Sequence, residues 1–235
     1  MLQVIFPPAC VGCGAHVASD FGLCADCWRG MAFTGGLVCD RCGLPLHGED
    51  EGRAEYCDDC LAIARPWSRG RAAFLYKDKG RELVLGLKHA DRLDLVRPMA
   101  DWLARAVAPI LTPGMLLTPI PLHWTRLFRR RYNQAALLAR ALGRLTGAEQ
   151  CPDLLVRQRK TESQDGRGSD QRFANLSGAL AVHPRRRTLI RGRQVLLVDD
   201  VMTSGATFSA ATDACLAAGA SGVCVLALAR VAKDT

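Results

Sequence analysis

Two adjacent aspartates stand directly before a turn that is rich in hydroxyl side chains. Asp199 and Asp200 follow the apolar run at residues 195–198, and the turn at residues 203–207 leads into small residues that end near Gly219. The apolar run predicts a buried strand, and the segment after the turn predicts a helix. The acids and the hydroxyls are therefore expected where a strand passes through a loop into a helix N-terminus.

This arrangement suits a phosphorylated sugar. A helix N-terminus offers unpaired N–H groups and a positive dipole end, and the hydroxyls of Thr203, Ser204 and Thr207 beside the flexible Gly205 allow these groups to surround a phosphate. Carboxylates at the end of the strand can accept hydrogen bonds from neighbouring sugar hydroxyls. An ordinary strand-to-helix turn is the alternative, but it needs one capping hydroxyl and no pair of acids.

The first sixty residues contain eight of the eleven cysteines, arranged as four Cys-x-x-Cys pairs. The pairs are Cys10 with Cys13, Cys24 with Cys27, Cys39 with Cys42, and Cys57 with Cys60. Two intervening residues allow one turn to direct both sulfurs at one ion, and two such pairs complete a tetrahedral zinc shell. We therefore expect two structural Zn²⁺ sites. Sequential pairing would join the first two pairs and the last two, and a crossed arrangement remains open.

Other uses of these cysteines are less consistent with the sequence. Disulfides would require an oxidising compartment, and four copies at regular spacing do not resemble a single redox pair. His16 and His47 could each replace a sulfur, but we expect both to be bystanders because eight thiols are present. Cys151, Cys215 and Cys224 are expected to be small buried hydrophobic residues.

Composition indicates one globular core with a small appendage. The chain has 235 residues, 49% of them hydrophobic. A signal peptide is not expected, because no basic region precedes the apolar start, and no apolar run approaches the roughly 20 residues of a membrane span. We therefore expect a cytoplasmic protein without membrane insertion.

The positive charge is concentrated in the middle of the chain. The net charge is +8, and residues 121–193 contain sixteen Lys and Arg against five Asp and Glu. Such a surface beside a phosphate site attracts polyphosphate substrates or nucleic acid backbones. A solvated arginine-rich surface is the alternative for Arg185, Arg186 and Arg187.

Hydrophobic periodicity predicts alternating strands and helices after residue 70. Expected strands lie at residues 72–76, 115–121, 154–156, 194–199 and 223–229. Expected helices lie at residues 93–108 and 206–218, and another carries Leu137, Leu138, Ala141, Leu142 and Leu145 on one side. This order predicts an α/β fold in which a parallel sheet is covered on both faces and binds its ligand at the carboxyl ends of the strands.

The segment at residues 195–207 resembles the phosphoribosyl pyrophosphate (PRPP) signature of type I phosphoribosyltransferases. The resemblance implies that Asp199 and Asp200 bind the ribose hydroxyls, and that Mg²⁺ is carried on the pyrophosphate. It also implies a PRPP-binding loop around the 5′-phosphate, formed by Val201, Met202, Thr203, Ser204, Gly205, Ala206 and Thr207.

Further stretches are similar to the ComF/GntX-like competence family. They are Pro-Ile-Pro at residues 119–121 with the basic block that ends in Tyr-Asn-Gln at 132–134, and the Thr-Glu-Ser-Gln segment at 161–164 with Arg172 and Asn175. Paired cysteines at the amino end are also typical of the family. The resemblance implies a double zinc ribbon at residues 1–64 and a phosphoribosyltransferase-like domain at residues 65–235, divided at the Arg-Pro-Trp-Ser-Arg-Gly segment.

Four cations are candidates to neutralise the pyrophosphate: Arg126, Arg129, Arg159 and Lys160. Gln164 and Arg172 are further candidates that depend on the family loop. The chain departs from the family in two places. Arg131 stands where glycine is usual, and residues 165–168 replace a leucine-bearing stretch with a polar one.

The leading hypothesis is a PRPP-dependent, Mg²⁺-assisted phosphoribosyltransferase of unknown acceptor, associated through its family with DNA uptake and natural transformation. The alternative is a binding module without catalysis, which senses PRPP or holds single-stranded DNA on the basic face and the ribbons. A third possibility is a purely structural adaptor that docks partners through the ribbons and would need neither Asp199 nor Asp200. The candidate macromolecular partners are single-stranded DNA and the DNA-uptake machinery. The oligomeric state is not indicated by the sequence.

Overall fold

The computed structural model describes residues 7–122, 127, 131–158, 176 and 178–232. Six strands and seven α-helices are assigned within them. The strands are β1 (Arg69–Leu75), β2 (Leu116–Pro119), β3 (Leu155–Arg157), β4 (Leu180–Val182), β5 (Gln194–Met202) and β6 (Gly222–Arg230). The helices are α1 (Ala25–Arg29), α2 (Asp58–Ala62), α3 (Asp78–His89), α4 (Val96–Val107), α5 (Gln134–Thr146), α6 (Arg187–Ile190) and α7 (Ala206–Ala217).

Four strands form the central sheet, in the order β1-β6-β5-β2, and every neighbouring pair is parallel. Strand β5 is buried on both faces. Leu196 and Val198 belong to one core, whereas Val195 and Leu197 belong to the other. This alternation follows from the two-residue period of a strand and confirms the predicted parallel sheet with two covered faces.

One predicted strand has a different role from the one expected. The strand predicted at residues 154–156 is β3, but it pairs with β4 in a separate two-stranded antiparallel sheet. A short apolar run predicts a strand without specifying its partner, so this error could not be avoided from periodicity. The predicted helix at residues 93–108 begins with a 3-10 turn at Leu93–Leu95 before α4.

Helix α5 confirms the predicted amphipathic helix, with one exception on its apolar side. Leu138 and Leu142 are fully buried, but Leu145 is 53% exposed. A residue three positions before this helix is also informative. Arg131, where the family usually has glycine, adopts φ +65°, so an arginine occupies the left-handed conformation that the turn requires.

The amino-terminal ribbon covers the edge strand β1. The backbone N–H of Thr34 donates to the carbonyl of Ala73 at 3.0 Å, and that of Gly70 donates to the carbonyl of Asp40 at 2.8 Å. The Phe33 ring contacts both Phe74 and Trp102 edge-on. Strand β1 therefore has ribbon backbone along its free side, which protects a sheet edge that would otherwise be open.

The segment at residues 65–70 is packed rather than exposed. Trp67 is fully buried, and Arg65 is 9% exposed. The indole N–H of Trp67 donates to the Arg41 carbonyl at 2.6 Å, which ties this segment to the second half of the ribbon. The division into residues 1–64 and 65–235 stays a prediction.

Candidate functional site

The turn after β5 is held in a conformation that only glycine adopts easily. Gly205 precedes α7 and has φ +81°. A Cβ atom at this position would lie 2.9 Å from Trp67 and 3.1 Å from the guanidinium of Arg65. A side chain would therefore clash with a buried indole as well as strain the backbone.

The turn forms an open cup. Eight consecutive residues, 201–208, line it. Among the described residues, the backbone N–H groups of Thr203, Ser204 and Gly205 have no hydrogen-bond acceptor. Free N–H groups at the start of a twelve-residue helix, beside three hydroxyls, are groups of the kind that can bind an anion.

Asp199 and Asp200 both lie inside β5, which extends three residues beyond the strand predicted at residues 194–199. Both residues are half-buried, and the Asp200 N–H donates to Asp199 Oδ1 at 2.8 Å. Burial, followed by the neighbouring charge of Asp200, raises the pKa of Asp199 to about 7, although the charges of Lys88 and Arg157 act in the opposite direction. The acid pair and the cup are contiguous, so one sugar phosphate can reach both.

A cation that the sequence analysis did not consider belongs to this site. Lys88, near the end of α3, places its Nζ 3.1 Å from Asp200 Oδ1, and the two side chains are 17% and 14% exposed. The hydroxyl of Tyr132 donates to the Leu87 carbonyl at 2.9 Å and so fixes the end of this helix. Periodicity could have found the helix, because Gly80, Leu83, Val84 and Leu87 are buried at helical spacing.

The four cations predicted to meet the pyrophosphate, Arg126, Arg129, Arg159 and Lys160, lie outside the described residues. So do Gln164 and Arg172 and the polar stretch at 165–168. Their roles remain predictions.

The eight paired cysteines form two separate clusters with sequential pairing. One contains Cys10, Cys13, Cys24 and Cys27, and the other contains Cys39, Cys42, Cys57 and Cys60, with all four sulfurs of a cluster within 4.8 Å of one another. This arrangement excludes the crossed alternative.

The sulfur spacing fits zinc. Cys13 Sγ lies 3.6 Å from Cys24 Sγ, and Cys42 Sγ lies 3.7 Å from Cys57 Sγ. Four Zn–S bonds of about 2.3 Å in a tetrahedron place their sulfurs about 3.8 Å apart. Each cluster is a four-cysteine zinc-binding site whose shell leaves no position for a substrate.

The remaining candidates behave as expected. His16 and His47 are in neither cluster. Cys151, Cys215 and Cys224 are buried. In the part of the chain that the structure describes, no helix is both long and apolar enough to cross a membrane.

Two known families match separate parts of the chain. Residues 1–61 match the double zinc ribbon domain, and residues 134–235 match the phosphoribosyl transferase domain. The first match contains both cysteine clusters, and the second contains the acid pair and the cup.

Curated relatives align with most of the length of this chain. DNA utilization protein YhgH of Escherichia coli O157:H7 is 29% identical over 95% of this chain and 97% of its own length. Competence protein F of Haemophilus influenzae is 28% identical over 85% of this chain and 87% of its own length. Among solved structures, glutamine PRPP amidotransferase from B. subtilis, complexed with ADP and GMP, aligns with a TM-score of 0.41 at 17% identity, covering 61% of this chain and 30% of that chain.

Proposed function

Because this chain is a ComF-type protein, in which a double zinc ribbon precedes a phosphoribosyltransferase domain, we propose that it binds Mg²⁺–PRPP and displaces the pyrophosphate. The observation that carries the proposal is the contiguity of the acid pair at Asp199 and Asp200 with the cup at residues 201–208. One element recognises the sugar, and the other recognises its phosphate.

The cup binds the 5′-phosphate through backbone N–H groups and through the hydroxyls of Thr203, Ser204 and Thr207. The two carboxylates accept hydrogen bonds from the ribose hydroxyls and so orient the sugar ring. Orientation matters because displacement at C1 depends mainly on positioning.

In the proposed reaction, an acceptor nucleophile forms a bond to C1 of the ribose while the bond from C1 to the pyrophosphate oxygen breaks. Mg²⁺ arrives with PRPP and neutralises part of the leaving-group charge. Arg126, Arg129, Arg159 and Lys160 are the proposed protein cations for the same charge. The chemistry of the acceptor is not specified by the site.

Isothermal titration calorimetry with Mg²⁺–PRPP tests the proposal. We expect the native chain to bind in the micromolar range and the double variant Asp199→Asn, Asp200→Asn to lose binding. Asp213→Asn is the matched control, because it removes an exposed carboxylate from α7 and leaves the acid pair intact. Absence of binding by the native chain at millimolar PRPP would refute the enzyme proposal.

A role in the utilisation of DNA is the second part of the proposal. Relatives bear the names DNA utilization protein and competence protein F. Arg185, Arg187 and Arg191 are exposed on one short stretch, and the last two line a cleft of 330 Å³ beside β4 and α7. These arginines support the binding of single-stranded DNA through its phosphates.

Fluorescence anisotropy with a single-stranded oligonucleotide tests this second part. Each phosphate contact contributes about 0.7 to the slope of log affinity against log salt, so substitution of all three arginines by glutamine should lower the slope by about 2. The exposed Arg29→Gln is the control. An unchanged slope in the triple variant would remove this surface as the DNA site.

A further inference from the structure

Two buried arginines hold the carbonyl groups of the phosphate-binding cup. Arg65 Nη1 donates to the Ser204 carbonyl at 2.6 Å, and Arg230 Nη1 donates to the Thr203 carbonyl at 2.7 Å. Arg65 is 9% exposed and Arg230 is 2% exposed, and the Nε of each has no hydrogen-bond partner in the described part of the chain. Both guanidinium groups therefore contact the turn, and Arg230 Nη1 also donates to the carbonyl of Val231.

These contacts determine which way the N–H groups of the turn point. In a trans peptide, the C=O and the N–H of the next residue lie in one plane and point in opposite directions. When the Thr203 and Ser204 carbonyls point to the arginines, the N–H groups of Ser204 and Gly205 point away from them. Those are N–H groups that have no acceptor among the described residues, and the cup offers them to a ligand.

Each of these two arginines is contacted by one Cys-x-x-Cys turn of the second zinc-binding site. Arg230 Nη2 lies 3.9 Å from Asp59 Oδ2, and Asp59 lies between Cys57 and Cys60. Arg41, which lies between Cys39 and Cys42, donates to the backbone carbonyl of Arg65 at 3.3 Å.

The first zinc-binding site is connected to a different element. Its Val11, between Cys10 and Cys13, accepts a hydrogen bond from Arg92 Nη2 at 3.1 Å, just beyond the end of α3. No contact joins this site to residues 203–205 in the described ranges. The two zinc sites therefore have separate connections to the domain.

We propose that Arg65 and Arg230 couple zinc in the second site to the shape of the phosphate-binding cup, so that loss of this zinc loosens the cup. Zinc fixes the distance between the two Cys-x-x-Cys turns, and these turns carry Arg41 and Asp59. Through Arg41 and Asp59, the two Cys-x-x-Cys turns position Arg65 and Arg230 against the cup. The binding of PRPP to the cup rests on the proposed function, but the coupling itself does not require it.

Hydrogen exchange followed by mass spectrometry and NMR tests the coupling without PRPP. Two amides report on the turn, because Ser209 N–H donates to the Gly205 carbonyl and Val231 N–H donates to the Met202 carbonyl, both at 2.9 Å. In Arg65→Gln and Arg230→Gln chains that retain two zinc ions, exchange at these amides should rise about tenfold or more, while α4 keeps its protection. Cys57→Ser, which removes a ligand of the second site, should produce the same rise.

Arg53→Gln is the matched control, because it removes an exposed arginine of the same ribbon that pairs with Glu51. Unchanged exchange at Ser209 and Val231 in both zinc-loaded arginine variants would refute the coupling. If Cys57→Ser unfolds the chain, protection of α4 will also fall, and the two arginine variants then decide. Calorimetry with Mg²⁺–PRPP on the native chain is a separate readout, so loss of the proposed function and loss of the coupling give different results.

Discussion

Lys88 Nζ lies 3.1 Å from Asp200 Oδ1 and joins helix α3 to the carboxyl end of strand β5. The two residues are more than a hundred positions apart in the chain, and both side chains are mostly buried. The pair places a positive charge beside two adjacent acids. Without it, two neighbouring carboxylates would repel each other in a poorly solvated position.

Replacement of Lys88 by methionine should weaken PRPP binding at neutral pH. The charge of Lys88 lowers the pKa of Asp199, so its removal moves the pH midpoint of binding upward. We expect severalfold weaker binding at pH 7, because a smaller fraction of Asp199 is ionised there. Calorimetry at several pH values measures the shift.

Lys77→Met serves as the control for this prediction, because Lys77 is exposed at the other end of the same helix. Equal affinities and equal pH midpoints for the native chain and Lys88→Met would show that the ion pair has no effect on the site.

Asp199 should make the folded state less stable as the pH rises towards neutrality. Its pKa is raised from 3.8 to about 7 in the folded chain, so the folded state keeps a proton that the unfolded state has lost. The contribution of Asp199 to stability is then highest below about pH 4 and falls by at most about 1.4 kcal/mol per pH unit until about pH 7.

Urea unfolding at pH 5.5 and 7.5, with zinc present, measures this dependence for the native chain and for Asp199→Asn. The native chain should lose stability over this interval, and the variant should lose less. A steeper loss in the variant would contradict the assigned direction.

Two glycines in equivalent zinc-ligand turns should differ in their tolerance of alanine. Gly14 and Gly43 both have positive φ, at +80° and +70°. A Cβ at Gly14 meets nothing within 4 Å, but a Cβ at Gly43 lies 2.5 Å from the Ala72 backbone N. Gly14→Ala should cost about 1–2 kcal/mol from backbone strain alone, and Gly43→Ala should cost about 1–3 kcal/mol more from overpacking against β1.

Thermal unfolding of the two variants compares them directly, with the native chain as reference. Equal destabilisation would mean that the second ribbon does not press against β1 as described.

A chelator should remove zinc from the first site before the second. In the first site Cys13 is exposed and Cys24 is half-buried, whereas three of the four cysteines in the second site are buried. Zinc release to a coloured chelator should therefore have a fast and a slow phase. Cys13→Ser should abolish the fast phase, and Cys151→Ser should keep both. Loss of the slow phase in Cys13→Ser would reverse the assignment.

The sequence predicted the features that depend on local pattern. Regular Cys-x-x-Cys spacing defines the zinc ligands, because each pair needs only one turn, and the apolar run before Asp199 predicts a buried strand. The unusual residue at position 131 was also visible in the sequence, because Arg131 stands where the family usually has glycine. In the structure, Arg131 adopts the left-handed conformation.

Features that depend on long-range packing were missed. Nothing local in the sequence connects Lys88 with Asp200, or Arg230 with the turn at residues 203–205. The antiparallel pairing of β3 with β4 was missed for the same reason, because the strand pattern does not name a partner. Such contacts follow from how the sheet and the ribbon are assembled.

The most direct test of the central claim is an experimental structure of the chain with Mg²⁺–PRPP. We predict a 5′-phosphate in the cup at residues 201–208 and ribose hydroxyls against Asp199 and Asp200. A phosphate bound elsewhere, for example at Arg187 and Arg191, with the cup empty, would contradict it.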